Sequence, residues 1–180
     1  MRNSKTFMLL ALAACVFFGS TVSAGTAVVG FEIGSATRND VEDGLKALGL
    51  EPIEGSEMTF SFGKPIVAQG PAFGIASLTE TCFAFDPEGK LGFVGMLMDP
   101  DRFDHMDKIL EGKYTFLERH GDESGSRCAH YESEDAVIDL IYDAGTPLQL
   151  LYIRKDVRDE AEMVAKQKAE EAAKKEATNF

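Results

Sequence analysis

The sequence predicts an α+β domain: an antiparallel β-sheet of meander hairpins packed by two short helices, with a third helix projecting at the C-terminus. Three observations predict it. Short stretches of β-branched and aromatic residues recur along the chain, separated by turns rich in Gly, Pro, Asp and Ser. Two segments, near 39–48 and 99–111, carry apolar residues at helical spacing between a capping residue and a glycine. From Asp159 onward the chain is almost wholly Ala, Glu, Lys and Gln, all good helix formers.

A leader precedes the domain. Arg2 and Lys5 stand before an apolar run, Phe7 to Phe18, and a small-residue stretch, Gly19 to Ala24. Val22 and Ala24 occupy the two positions a signal peptidase reads. The run is shorter than the roughly 20 residues that span a bilayer. Residues 1–24 are therefore expected to be a secretory signal cleaved after Ala24, leaving a periplasmic or secreted protein. Leu12-Ala13-Ala14-Cys15 resembles the lipobox of bacterial lipoproteins, which implies the alternative of a lipid anchor through Cys15.

Removing the leader leaves 156 residues, enough for one core: a single domain over 25–157 and a charged helix or tail over 158–180. It also leaves 16 basic against 30 acidic side chains. That balance repels nucleic acid and anionic lipid, and suits an exported partner with a basic surface. Two cysteines remain, Cys82 and Cys128. In an oxidising compartment they are expected to form one disulfide, closing a 46-residue loop worth about 4 kcal/mol.

Along the chain, Ala27 to Ile33 reads as a strand. Asn39 opens the first helix, with Glu42 completing a capping box and Val41, Leu45 and Leu48 on one face before Gly49. Leu50 to Pro71 is the least regular stretch, with one expected strand at Met58 to Phe62. Its charged residues Glu51, Glu54, Glu57 and Lys64 are the expected binding surface, since loops carry function more often than cores do. Phe73 to Leu78 reads as a strand, and Thr81 to Asp86 pairs with Lys90 to Met98 around Pro87-Glu88-Gly89. Asp99-Pro100 starts the second helix, with Phe103, Met106 and Leu110 facing inward. Four strands follow: Tyr114 to Arg119, Arg127 to Glu132, Ala136 to Asp143 and Leu148 to Arg154. The last two are apolar on both faces and belong inside the sheet. Phe85 to Asp99 echoes Tyr142 to Asp156 at a constant offset of 57 residues.

Candidate chemistry is sparse. His120, Cys128 and His130 cluster in sequence without a zinc spacing. Asp99, Asp101, Asp104 and Asp107 lack the glycine that a calcium loop needs at its sixth position, where Asp104 stands. Ser124, Ser126 and Ser133 lack a nucleophile elbow. The alternating phenylalanines read as packing. No metal or cofactor is expected. Gly34, Thr37, Val41, Leu45, Leu48 and Gly49 resemble the first helix of two envelope-module families, the SmpA-type outer-membrane assembly lipoproteins and the tandem modules of β-lactamase-inhibitor proteins. The resemblance implies helices against antiparallel sheets and a role in binding other proteins. The expected function is a non-enzymatic, exported protein-binding module: an inhibitor, immunity factor or envelope-assembly accessory. The alternatives are a periplasmic small-ligand or metal-binding protein and, third, a small hydrolase.

Overall fold

Alternating side chains build the α+β fold in the computed structural model, which describes residues 25–56, 58, 62–122 and 125–178. Two short strands, β1 (Ala27–Val28) and β2 (Phe31–Glu32), form a small hairpin ahead of α1 (Arg38–Ala47). Four strands follow: β3 (Ile53–Glu54), β4 (Ile66–Gln69), β5 (Leu78–Phe85) and β6 (Leu91–Met98). A 3-10 turn leads into α2 (Phe103–Glu111), and four more strands follow: β7 (Thr115–Gly121), β8 (Arg127–Glu132), β9 (Ala136–Tyr142) and β10 (Leu148–Arg154). The chain then enters α3 (Lys155–Thr178).

The large sheet is antiparallel, ordered β3-β4-β5-β6-β10-β9-β8-β7. The order is a palindrome of two meanders. Each is preceded by a helix, and they meet where β6 pairs with β10, from Leu148 opposite Met98 to Ile153 opposite Phe93. An approximate two-fold axis therefore runs through the β6–β10 seam. The sequence echo is the trace of this arrangement, but its offset is not constant. Leu91 and Leu148 are both buried. Past Gly92, the extra residue of a bulge against β5, the offset would set buried Val94 on half-exposed Leu151.

One registered row explains the core: Ile66, Phe83, Val94, Tyr152, Ile138 and Tyr131 lie side by side across six strands, all buried. Val41 and Leu45 of α1, and Phe103, Met106 and Leu110 of α2, belong to the same cluster, so both helices cover this face. The opposite row runs Val67, Cys82, Gly95, Leu151, Asp139 and His130, and is only partly covered. There Arg158 of α3 reaches Asp139 at 3.1 Å.

Several expectations shift. The α1 cap is Thr37, two residues before Asn39; its hydroxyl accepts from the Asp40 backbone N–H while Asp40 accepts from the Thr37 N–H at 2.8 Å. Leu48 lies outside the buried face. Residues 73–77 form turns instead of a strand, and β4 occupies a stretch read as loop. Met58 and Phe62 are irregular; residues 59–61 between them lie outside the described residues, as do the leader with Cys15 and the binding-loop residue Glu57.

The expected disulfide is corrected: Cys82 and Cys128 are both free. They sit on β5 and β8, with β6, β10 and β9 between them. Four strand spacings separate them by about 19 Å, whereas a disulfide needs Cα atoms within about 7 Å. Burial, with help from Glu80, pushes the Cys82 thiol up to about 11, so it stays protonated at neutral pH.

Candidate binding cleft

The two-fold plan places two hairpin turns at opposite ends of the seam, and a cleft lies at the β5–β6 turn. At the β5–β6 turn, the Asp86 carboxylate accepts from the backbone N–H of Glu88 at 2.9 Å and of Lys90 at 2.8 Å. Arg154, the last residue of β10, reaches the same carboxylate at 2.8 Å and Asp156 at 2.6 Å. Asp156 also accepts from the Val157 N–H at 2.8 Å, in the first turn of α3. Bonding to Arg154 holds the Asp156 carboxyl below its usual range, and the same contact holds the guanidinium charged. This junction fixes how α3 leaves the sheet.

Between the turn, Phe62 and α3 lies a cleft of about 430 Å³. That is within the size range of small-ligand sites. Phe62, Pro87, Val157, Ala161 and Val164 give it apolar walls. Its carboxylates are Asp86, Glu88, Asp156 and Glu160, against two cations, Arg154 and Lys90. Arg154 is neutralised as described, and Lys90 donates to the Ser35 carbonyl at 3.2 Å. Glu88 and Glu160 are exposed and make no ion pair with another described residue. An apolar lining beneath unpaired carboxylates accepts an alkyl or aromatic stem that ends in a cation.

The residues chosen from sequence lie elsewhere. Glu54 and Lys64 pair with each other at 2.7 Å across the β3–β4 hairpin, which lowers the Glu54 carboxyl pKa. Arg38 donates to the Lys64 carbonyl. Glu51 is exposed beside them. The charges of this hairpin hold one another and do not line the cleft; Phe62, between the same two strands, does. Apart from Phe62, which lies in the stretch read as the binding surface, the cleft residues escaped the sequence reading because they come from a turn, a strand end and a helix that share no local pattern. The one available signal was Asp86 heading a Pro-Gly turn.

The histidine cluster is partly assembled. His130 Nδ1 lies 2.7 Å from Asp139 Oδ1, and His120 Nε2 lies 3.0 Å from Glu118 Oε2. Cys128 pairs opposite His120 on β7. Among the described residues it makes no hydrogen bond to either imidazole, and no group of three or more His, Cys, Asp or Glu is arranged to hold a metal ion. Arg158 occupies the second oxygen of Asp139, so the Asp139 carboxylate serves an ion-paired strand contact. No described helix is long and apolar enough to cross a membrane.

No protein-family model matches the chain, and no curated protein matches it. Among solved structures, the chain is similar to a DUF4309 family protein, YjgB, from Bacillus subtilis. The identity is 8%, covering 74% of this chain and 89% of that one, with a TM-score of 0.39.

Proposed function

We propose that this chain is an exported, non-enzymatic binding module that takes a basic segment of another exported protein into the α3 cleft. The observation that carries the reading is the cleft itself: apolar walls below two carboxylates, Glu88 and Glu160, that no described cation neutralises. A lysine or arginine of the partner would lay its stem on Phe62 and Val157 and bring its charge to those glutamates. The chain's net charge of −12 draws such a partner in at long range. Export rests on the leader grammar of residues 1–24, with cleavage after Ala24.

The test is affinity capture of exported proteins on the native chain, on Glu88→Lys with Glu160→Lys, and on Glu51→Ala with Glu54→Ala. Both glutamates of the first pair are exposed, so reversing them leaves the core alone. The reading expects one stoichiometric partner that is lost on charge reversal and kept by the hairpin variant. Retention after charge reversal sinks the cleft assignment, and loss in the hairpin variant returns the site to residues 51–71. No protein partner, with a saturable rise in Tm on adding alkylamines, transfers the cleft to a small cationic ligand.

A further inference from the structure

We infer that the domain holds a receptor for its own processed N-terminus: Glu32, at the end of β2, takes the α-ammonium released at Gly25. The inference rests on cleavage after Ala24, which is part of the export reading. Hydrolysis of the Ala24–Gly25 bond by a signal peptidase consumes one water. It leaves a carboxylate on Ala24 and a protonated amine on Gly25, where an uncharged amide stood before.

The surroundings of that nitrogen are built for a positive charge. Gly25 N lies 2.7 Å from Glu32 Oε1. The other Glu32 oxygen accepts from the Ser35 hydroxyl at 3.0 Å, which fixes the carboxylate in place. One residue on, Asp135 in the β8–β9 turn accepts from the Thr26 N–H at 2.9 Å and from its hydroxyl. Ser133 joins the same group, 2.6 Å from the Thr26 hydroxyl. Thr26 is buried, so the chain is clamped directly behind its first mature residue.

Sterics choose the same residue. A Cβ at position 25 would stand 2.7 Å from Glu32 Oε1 and 3.0 Å from Asp135 Oδ2, so glycine lets both carboxylates close in without having to shift. A cut one residue earlier would carry the charge past Glu32, and a cut one residue later would remove Gly25 altogether. The cleavage frame read from the leader and the cradle read from the fold select the same nitrogen by unrelated arguments. Capturing a terminal amine in this way is a known recognition mode between chains. Here it acts within one chain and separates the processed form from the precursor.

The test exports four full precursors: native, one with a serine inserted between Ala24 and Gly25, Glu32→Gln, and the two changes combined. Intact mass identifies each N-terminus; a native product that does not begin at Gly25 overturns the export frame before any stability is compared. With the frame confirmed, the inserted serine moves the ammonium one residue away and lowers Tm by about 2–4 °C. In the Glu32→Gln background the same insertion changes Tm by less than about 1 °C. An insertion that costs nothing beside Glu32, or costs the same beside glutamine, overturns the receptor.

Discussion

The first half of the chain, α1 with β3 to β6, and the second, α2 with β7 to β10, follow one course, and their two hairpin turns occupy opposite, symmetry-related ends of the seam. The β5–β6 turn stands beside the end of β10, where Arg154 grips Asp86 and the chain passes into α3. The β9–β10 turn stands beside the end of β6, which is Met98, buried and uncharged. There the chain passes into α2, on the core face. Asp143 heads that turn through its backbone carbonyl, which accepts from the Thr146 N–H at 2.9 Å. The two turns of a repeated scaffold thus differ in the residue that ends the neighbouring strand, Arg154 at one and Met98 at the other. Symmetry supplies two like places, and Arg154 sets one of them apart.

The comparison breaks if the halves are separate units. Leu45→Ala in α1 and Leu110→Ala in α2 each remove a buried side chain from the shared core. Each should cost about 2–5 kcal/mol. Denaturation followed by fluorescence and by circular dichroism should show one coincident transition, shifted by either change. Two transitions, each moved by one variant, would divide the domain at the seam.

The matched turns give a sharper test. Asp86→Ala takes one of two carboxylate partners from Arg154, whose side chain is only 19% exposed, and the acceptor from two turn N–H groups, and should cost about 2 kcal/mol. Asp143→Ala should cost less than about 0.5 kcal/mol. Urea unfolding of the two variants side by side measures the contrast; equal losses would mean that Arg154 does not distinguish the turns.

Asp135 provides a smaller effect with a defined pH window. Burial alone would raise its carboxyl pKa, but hydrogen bonds from Thr26 and Ser133 outweigh that and hold it below the usual range. A carboxyl lowered on folding stabilises the domain above its unfolded value, about 3.9. That contribution fades as pH falls through the folded value. Asp135→Asn should therefore cost about 1 kcal/mol at pH 7 and almost nothing near pH 2. Unfolding curves at both pH values test it.

The smallest effect concerns the cysteines. With no bond between β5 and β8, a reducing agent should leave Tm unchanged, and the unfolded chain from Gly25 onward should titrate two thiols, Cys82 and Cys128. A fall in Tm on reduction would restore the disulfide.

Much of the meander was legible because its physics is local. β8 and β10 match their expected ranges, and the capping and turn residues around them sit next to one another in sequence. Strand neighbours were not legible. The disulfide failed because pairing order across a sheet is a long-range property, and two cysteines in a row of strands carry no mark of how many lie between them. The segment from Ala27 to Ile33 was read as one strand because Val28, Val29 and Phe31 favour extension. It reverses at Val29-Gly30, with φ of 46° and 91°. Valine is disfavoured in that region of backbone space, so nothing local announced the turn. The cleft was hidden for the same reason as the strand order: Asp86, Arg154 and Glu160 meet only because β6 lies beside β10.

That seam also sets a hazard during synthesis. The first meander is complete once Met98 has been made, but the strand that covers β6 begins only at Leu148. At ordinary translation rates the interval is about 3–10 s. For that time β6, with the sequence LGFVGMLM and no charge, is a bare apolar edge that another nascent chain can pair with. Lysine at a half-buried outer-face position of that strand, such as Leu97, would guard the edge during those seconds, at the cost of a charge beneath the finished sheet's partly covered face.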